Sequence, residues 1–189
     1  MHLIVGLGNP GPEYAATRHN LGFRVVEGWL KRFGCRREQV RWQALLFESP
    51  WEEGTVLLAK PLTYMNRSGE AVAPMVRSLR LDLERVWVVC DDFSLPLGRL
   101  RLRRRGSDGG HRGLRSVIQA LGSQDFPRLR MGVGPVPSGM DPIEFVLSPF
   151  TPEEQPAVET MCQRAVEALA CALKEGIEAA MNRYNAPAE

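Results

Sequence analysis

The sequence has few of the side chains on which most enzyme mechanisms depend. Only three histidines are present, and the four cysteines include no CxxC pair. Neither a zinc site nor a disulfide framework is therefore indicated, which fits a protein of the reducing cytoplasm. No GxSxG motif marks a serine nucleophile. If the chain is an enzyme, activated water is the favoured nucleophile.

Long hydrophobic runs are also missing. Hydrophobic residues make up 44% of the chain and charged residues 24%, but no window reaches the roughly 18 apolar residues of a membrane span. The start, Met1 to Gly6, has neither the basic residues nor the apolar length of a secretory signal. We therefore expect a soluble, cytoplasmic protein with no membrane partner, and 189 residues predict one domain over 1–189.

Positive charge is concentrated in one segment, although the net charge is only +2. Residues 98–116 contain a single acid, Asp108, and seven arginines: Arg99, Arg101, Arg103, Arg104, Arg105, Arg112 and Arg115. A basic block in a nearly neutral protein is typical of nucleic-acid binding. A charged edge strand, protected against aggregation, would give the same pattern.

Predicted strands and helices alternate along the chain. Hydrophobic patterning predicts strands at 3–5, 42–48, 55–59, 85–90, 99–103, 128–134 and 143–147. It predicts helices at 21–33, 70–79, 114–121 and 152–184, the last as one helix or a broken pair. This interleaving predicts an α/β fold, a single-domain three-layer sandwich with a mixed, largely parallel central sheet flanked by helices.

A glycine-rich turn follows the first predicted strand. Residues 6–11, Gly-Leu-Gly-Asn-Pro-Gly, satisfy GxGxxG and raise the alternative of a dinucleotide-dependent enzyme. That motif needs a helix opening inside it and an acid at the end of a second strand, and the sequence offers neither. A tight turn that presents Asn9 to a cleft is the simpler interpretation.

His19 and His111 are the candidates for acid–base chemistry, since both precede predicted helices. Asp91 and Asp92 follow the apolar run 85–90, and the carboxyl end of such a strand is where α/β folds bind ligands. A carboxylate there could orient a histidine ring and stabilise its cation. A lone histidine could equally have a surface or capping role.

Two asparagines add polar groups of a different kind. Asn9 and Asn66 each lie in a loop, beside a glycine or just before a helix. An amide both donates and accepts, which suits holding a peptide backbone or an oxyanion. Helix capping explains such residues as well.

Several motifs together resemble bacterial-type peptidyl-tRNA hydrolase. In chain order they are Gly-Leu-Gly-Asn-Pro-Gly at 6–11, Tyr14, Thr-Arg-His-Asn at 17–20, Lys-Pro-Leu-Thr-Tyr-Met-Asn-Arg-Ser-Gly at 60–69, Asp-Asp at 91–92 with Leu-Pro-Leu-Gly at 95–98, Gly-Gly-His at 109–111 and Arg-Leu-Arg-Met-Gly-Val-Gly at 128–134. No single motif is decisive, but the set is specific.

The resemblance implies an enzyme that cleaves the ester between a peptide and the terminal ribose of tRNA, without metal or cofactor. It implies that His19 deprotonates water, that Asp91 orients His19, and that Asn9 and Asn66 hold the peptide and the attacked carbonyl. The implied substrate contacts are Tyr14, Tyr64, Met65, His111 and Arg112, and the implied tRNA contacts are Arg101, Arg103 and Arg130. We expect a monomer whose partner is peptidyl-tRNA.

Two positions depart from the family pattern. Most relatives have asparagine where this chain has Arg112, and many have a second acid where it has Ser94. We expect Arg112 to contact a phosphate or a carbonyl of the substrate. A non-catalytic RNA-binding protein on the same fold, as in splicing-factor relatives, remains the alternative to an enzyme.

Overall fold

The apolar segments form the centre of one mixed sheet. The structure is a computed structural model that describes residues 1–187. Its strands are β1 (His2–Gly6), β2 (Arg37–Arg41), β3 (Ala44–Trp51), β4 (Gly54–Pro61), β5 (Val86–Pro96), β6 (Leu100–Arg103) and β7 (Arg128–Gly134). Their order is β2-β3-β4-β1-β5-β7-β6. The four central strands are parallel, while β2, β3 and β6 pair antiparallel.

Helices cover both faces of this sheet. They are α1 (Leu21–Phe33), α2 (Ser68–Ser78), α3 (Arg112–Leu121), α4 (Pro142–Val146), α5 (Gln155–Glu175) and α6 (Ile177–Tyr184). One core lies between the sheet and α1, α4, α5 and α6, and a second lies between the sheet and α2 with α3. The predicted α/β three-layer fold is therefore confirmed. No helix within residues 1–187 is long and apolar enough to cross a membrane.

Close packing explains the glycines of the first turn. A Cβ on Gly6 would overlap the backbone of Gly22 at the start of α1, and one on Gly8 would meet the Phe23 ring. The glycines thus let α1 lie against the end of β1. Because α1 begins at Leu21, ten residues beyond the motif, its N-terminus does not open inside the glycine turn as a dinucleotide site requires.

Some predicted elements were wrong in kind or extent. Residues 143–147 were predicted as a strand, but they lie largely in α4, whose first turn is capped by the Asp141 side chain and begins with Pro142. β5 continues to Pro96 instead of ending at Cys90, although its register with β7 shifts after Asp92. The C-terminal segment was predicted as one helix or a broken pair, and the broken pair is observed: α5 and α6 are separated by Gly176 at φ +97°.

Candidate active site

A cleft of about 600 Å³ opens where β1 and β5 end and α3 begins. Its polar lining includes six of the residues selected from the sequence: Asn9, His19, Asn66, Asp91, His111 and Arg112. Met65 also lines it. Residues far apart in the chain thus meet at the carboxyl edge of the parallel strands, where α/β folds place ligands.

The centre of the cleft is a carboxylate shared by two histidines. His19 Nδ1 lies 2.9 Å from Asp91 Oδ1 and 3.0 Å from Oδ2, and His111 Nε2 lies 3.0 Å from Oδ1. The Asp91 side chain is 1% exposed, against 13% for His19. Burial alone would raise the pKa of Asp91, but the hydrogen bonds from His19 and His111, and the positive charge of these rings when protonated, outweigh it and hold that pKa below its usual range. Asp91 is therefore an ionised acceptor at neutral pH.

The tautomer of His111 is fixed by its place at the start of α3. Its Nδ1 accepts a hydrogen bond from the backbone N–H of Leu114 at 3.1 Å, so Nδ1 carries no proton. The proton of the neutral ring is on Nε2 and is donated to Asp91. His111, implied by the resemblance to contact substrate, therefore also holds the carboxylate that His19 uses.

His19 is oriented by the same carboxylate, with its ring centroid 4.9 Å from that of His111. It lies in a 3₁₀ turn, Arg18–Asn20, that leads directly into α1. Since Nδ1–H donates to Asp91, the lone pair of Nε2 is free to accept a proton in the cleft. This is the arrangement of a general base held by a carboxylate.

A second asparagine holds Asn9 in place. The Asn20 side chain accepts from the Asn9 N–H at 2.8 Å and donates to the Asn9 carbonyl at 2.9 Å. Asn9 Oδ1 in turn accepts from the Met65 N–H at 2.7 Å. Although Asn20 directly precedes α1, its side chain makes no capping bond to that helix and binds Asn9 instead. The Asn9 NH₂ group is left to donate into the cleft.

The two tyrosines lie outside the cleft lining. Tyr14 and Tyr64 pack edge to face, with ring centroids 6.4 Å apart, and Tyr64 is 55% exposed. Neither is among the residues that line the cleft. They form an aromatic pair, half-buried at Tyr14 and exposed at Tyr64, beside the turn that carries Met65 and Asn66.

An apolar wall faces the polar groups. It consists of Phe93 with Ile143, Val146 and Leu147 of the α4 segment. Arg18, which sequence reasoning missed, anchors this segment next to His19. Its guanidinium is bonded to Glu154 at 2.6 Å and to Ser148 Oγ at 2.9 Å, and it packs on the Phe145 and Phe150 rings.

The predicted tRNA-contacting arginines share one face of the sheet. Leu100 and Leu102 point into the core under α5 and α6, so Arg101 and Arg103 of β6 point to the opposite face and are exposed. Arg130 lies directly across from Arg101, but its side chain is only 14% exposed. These three arginines are thus together, yet outside the cleft.

The polar cluster also contains residue types that bind metals. Candidate ligand atoms of His19, Asp91 and His111 lie within 4.8 Å of one another. Both histidine nitrogens nearest to Asp91 are at hydrogen-bond distance from its carboxylate, and hydrogen bonds account for this geometry fully. The cluster is explained without a metal.

Known proteins similar to this chain are peptidyl-tRNA hydrolases. The family model described as peptidyl-tRNA hydrolase matches residues 3–189. The chain is 51% identical to the peptidyl-tRNA hydrolase of Symbiobacterium thermophilum over 97% of this chain and 98% of that protein, and 47% identical to that of Chloroflexus aggregans over 98% and 99%. Its fold matches the crystal structure of peptidyl-tRNA hydrolase from Acinetobacter baumannii with a TM-score of 0.92 at 33% identity, covering 99% and 95% of the two chains.

Proposed function

This chain belongs to the peptidyl-tRNA hydrolase family and is an enzyme that hydrolyses the peptidyl-tRNA ester, and on that premise we propose how its residues divide the reaction. The observation that carries the proposal is the bond from His19 Nδ1 to buried Asp91, which leaves Nε2 free in the cleft.

His19 acts as general base. Nε2 removes a proton from water, and the resulting hydroxide attacks the carbonyl carbon that joins the peptide to the ribose oxygen. The imidazolium formed is stabilised by the Asp91 carboxylate. It then returns the proton to the departing ribose oxygen, so that the products are a peptide carboxylic acid, which ionises, and tRNA with a free hydroxyl.

The asparagines supply hydrogen bonds to the group under attack. Asn9 presents its NH₂ group because its carbonyl oxygen is already occupied by the Met65 N–H. Asn66 lines the same cleft from the following turn. Donors aimed at the carbonyl oxygen stabilise the negative charge that develops there. The apolar wall of Phe93 and α4 offers a surface for the peptide.

Phosphate contacts come from the arginine face. Arg101, Arg103 and the partly buried Arg130 lie on one side of the sheet edge, and guanidinium groups bind phosphates without reading base sequence. An enzyme that accepts every tRNA needs contacts of this kind. We propose that Arg112, which lines the cleft and whose side chain makes no hydrogen bond or ion pair with residues 1–187, contacts a substrate phosphate or carbonyl.

We further propose that residues 1–189 act as a single-domain monomer in the cytoplasm, where peptidyl-tRNA arises. The enzyme is favoured over the non-catalytic RNA-binding alternative because relatives of full length are peptidyl-tRNA hydrolases. The base, its carboxylate and both amides also lie around one cleft.

The test is to incubate the purified protein with a peptidyl-tRNA and with the aminoacyl-tRNA of the same tRNA and amino acid. We expect cleavage of the first ester and little of the second. Binding of both without cleavage would support the RNA-binding alternative, and equal cleavage would contradict peptide recognition in the cleft.

A further inference from the structure

Arginines lie opposite one another at the sheet edge. Arg101 of β6 pairs with Arg130 of β7, and Arg103 pairs with Arg128. Like charges directly across two strands destabilise a sheet. Such an arrangement therefore calls for partners that offset the repulsion, and the two β7 arginines find theirs in the loop that precedes His111.

The Arg128 side chain is hydrogen-bonded to the backbone of that loop and of residues close to it. Its side chain is fully buried and donates to four backbone carbonyls, those of Gly106, Ser107, Gln124 and Phe126. Burial lowers the pKa of Arg128 to about 10, so it is protonated at neutral pH. Arg128 thus has a structural role and, being fully buried, is out of reach of RNA.

Arg130 links the loop that precedes His111 to Asp92, the residue next to Asp91. One of its terminal nitrogens donates to the Ser107 carbonyl at 2.6 Å, and the other lies 3.8 Å from the Asp92 carboxylate. A Cβ on Gly109, whose φ is +59°, would overlap its guanidinium. Arg130 is therefore wedged between the loop and β5, with 14% of its side chain facing solvent.

The two segments that Arg130 contacts are those that carry the active-site pair. The loop runs from Gly106 to His111, and Asp92 follows Asp91. His111 and Asp91 are joined by the 3.0 Å hydrogen bond described above. Arg101 makes no comparable contact with residues 1–187. Of this cross-strand pair, Arg130 alone lies on the phosphate-binding face and also contacts Ser107, in the loop that precedes His111, and Asp92, the residue next to Asp91.

We propose that Arg130 is a positioning residue that couples phosphate binding on the arginine face to the geometry of His111 and Asp91, an inference that rests on the proposed function. A phosphate between Arg101 and Arg130 offsets their repulsion only while Arg130 stays in its place against Ser107 and Asp92. The phosphate therefore binds this state more tightly and shifts the loop towards it. Binding of the tRNA body then raises kcat as well as affinity.

The test distinguishes the positive charge of Arg130 from the contacts that its planar guanidinium makes on two sides. Arg130→Lys keeps a cation for the phosphate, but one ammonium group cannot reproduce the planar fork that spans Ser107, Asp92 and the phosphate. On full-length peptidyl-tRNA we expect kcat to fall about tenfold with a smaller change in KM. Arg37→Lys, the same exchange at an exposed position of β2 on the opposite edge of the sheet, is the matched control and should leave both kcat and KM unchanged. Loss in Arg130→Lys confined to KM would overturn the proposal.

A shortened substrate distinguishes coupling from simple loop support. A peptide ester of the trinucleotide CCA lacks the tRNA body, so it cannot fill the site between Arg101 and Arg130. With it, we expect wild-type kcat to be lower than on the full substrate and Arg130→Lys to cost little further. An equal fall in kcat on both substrates would make Arg130 a structural residue only and refute coupling. Failure of the wild type to cleave either substrate would instead refute the proposed function.

Discussion

Replacing Asp91 with asparagine should inactivate the enzyme by reversing the tautomer of His19. The side chain is 1% exposed, and the substitution preserves its size, so the change acts on hydrogen bonding and charge. His111 cannot adapt, because its Nδ1 accepts the Leu114 N–H and its Nε2 must therefore donate. The amide oxygen of the variant is consequently held at the Oδ1 position.

The amide NH₂ group then occupies the position of Oδ2, which lies 3.0 Å from His19 Nδ1. Two donors at this distance repel each other. The amide oxygen at the Oδ1 position also lies 2.9 Å from His19 Nδ1, but it already accepts from His111 Nε2. We expect His19 to relieve the conflict by moving its proton to Nε2, so that Nδ1 accepts from the amide. The nitrogen that faces water then carries a hydrogen and cannot act as a base.

The loss can be scaled from a comparable arrangement of histidine and carboxylate. In serine proteases the same exchange leaves the geometry intact and lowers kcat about 10⁴-fold through the wrong tautomer. We expect a fall in kcat of about 10³ to 10⁴, equivalent to about 4 to 5.5 kcal/mol of transition-state stabilisation. KM should change little, because Asp91 is buried beneath His19 and His111.

Steady-state hydrolysis of peptidyl-tRNA measures the loss, and nitrogen NMR of the imidazole rings measures the tautomer. The variant should show His19 with its proton on Nε2. Replacing His111 with phenylalanine as well frees the amide to turn, so Asp91→Asn should cost less in that background than in the wild type. A tenfold or smaller loss in the single variant, or an unchanged His19 tautomer, would refute the reasoning.

Three further outcomes are expected. Arg112→Asn should change kcat/KM for peptidyl-tRNA severalfold, since it removes the cleft cation that lacks a protein partner among residues 1–187; unchanged kinetics would exclude a substrate contact. Glu154→Gln should lower the free energy of unfolding by about 2 to 3 kcal/mol in urea titrations, because the buried Arg18 loses a charged partner at 2.6 Å. His19 and His111 hold the pKa of Asp91 below its usual range, so the stabilisation that Asp91 provides is present above its unfolded pKa. The difference in unfolding free energy between wild type and Asp91→Asn should therefore shrink as the pH falls below about 4. A difference that grows there would contradict this sign.

Much of the fold could be predicted because its central elements have strong patterns. β1 and the first half of β5, residues 86–90, are apolar runs, and α1 has a clear apolar stripe followed by Gly34. β2 was missed because Arg37–Arg41 is exposed and has no apolar alternation, so only backbone pairing with β3 makes it a strand. Residues 143–147 were misassigned because a five-residue apolar run has no visible period, and the capping Asp141 decides the outcome.

The residues of the site could be predicted from the sequence, but the contacts that hold them in place could not. His19, Asp91 and Asn66 could be selected by residue type and motif, and the structure places all three around one cleft. The supporting residues were missed because their partners are distant in sequence. Arg18 bonds to residues 130 or more positions away, and a sequence gives no sign of which carbonyls a buried guanidinium will meet.

The roles of Asn20 and His111 illustrate the same limit. Asn20 precedes a helix, where capping is the usual role, and only the close approach of the Asn9 turn shows that its amide is used there. His111 does cap α3 through Nδ1, and the same ring reaches Asp91 through Nε2. A local pattern predicts one contact of a side chain, and the fold supplies the second.

The most direct test of the account is a comparison of His19→Ala with the wild type in both hydrolysis and binding of peptidyl-tRNA. If His19 is the base that activates water, kcat falls by about 10² to 10⁴. The Kd for peptidyl-tRNA stays close to that of the wild type, because the arginine face is untouched. Hydrolysis that survives at the wild-type rate would contradict the assignment of His19, whatever the binding shows.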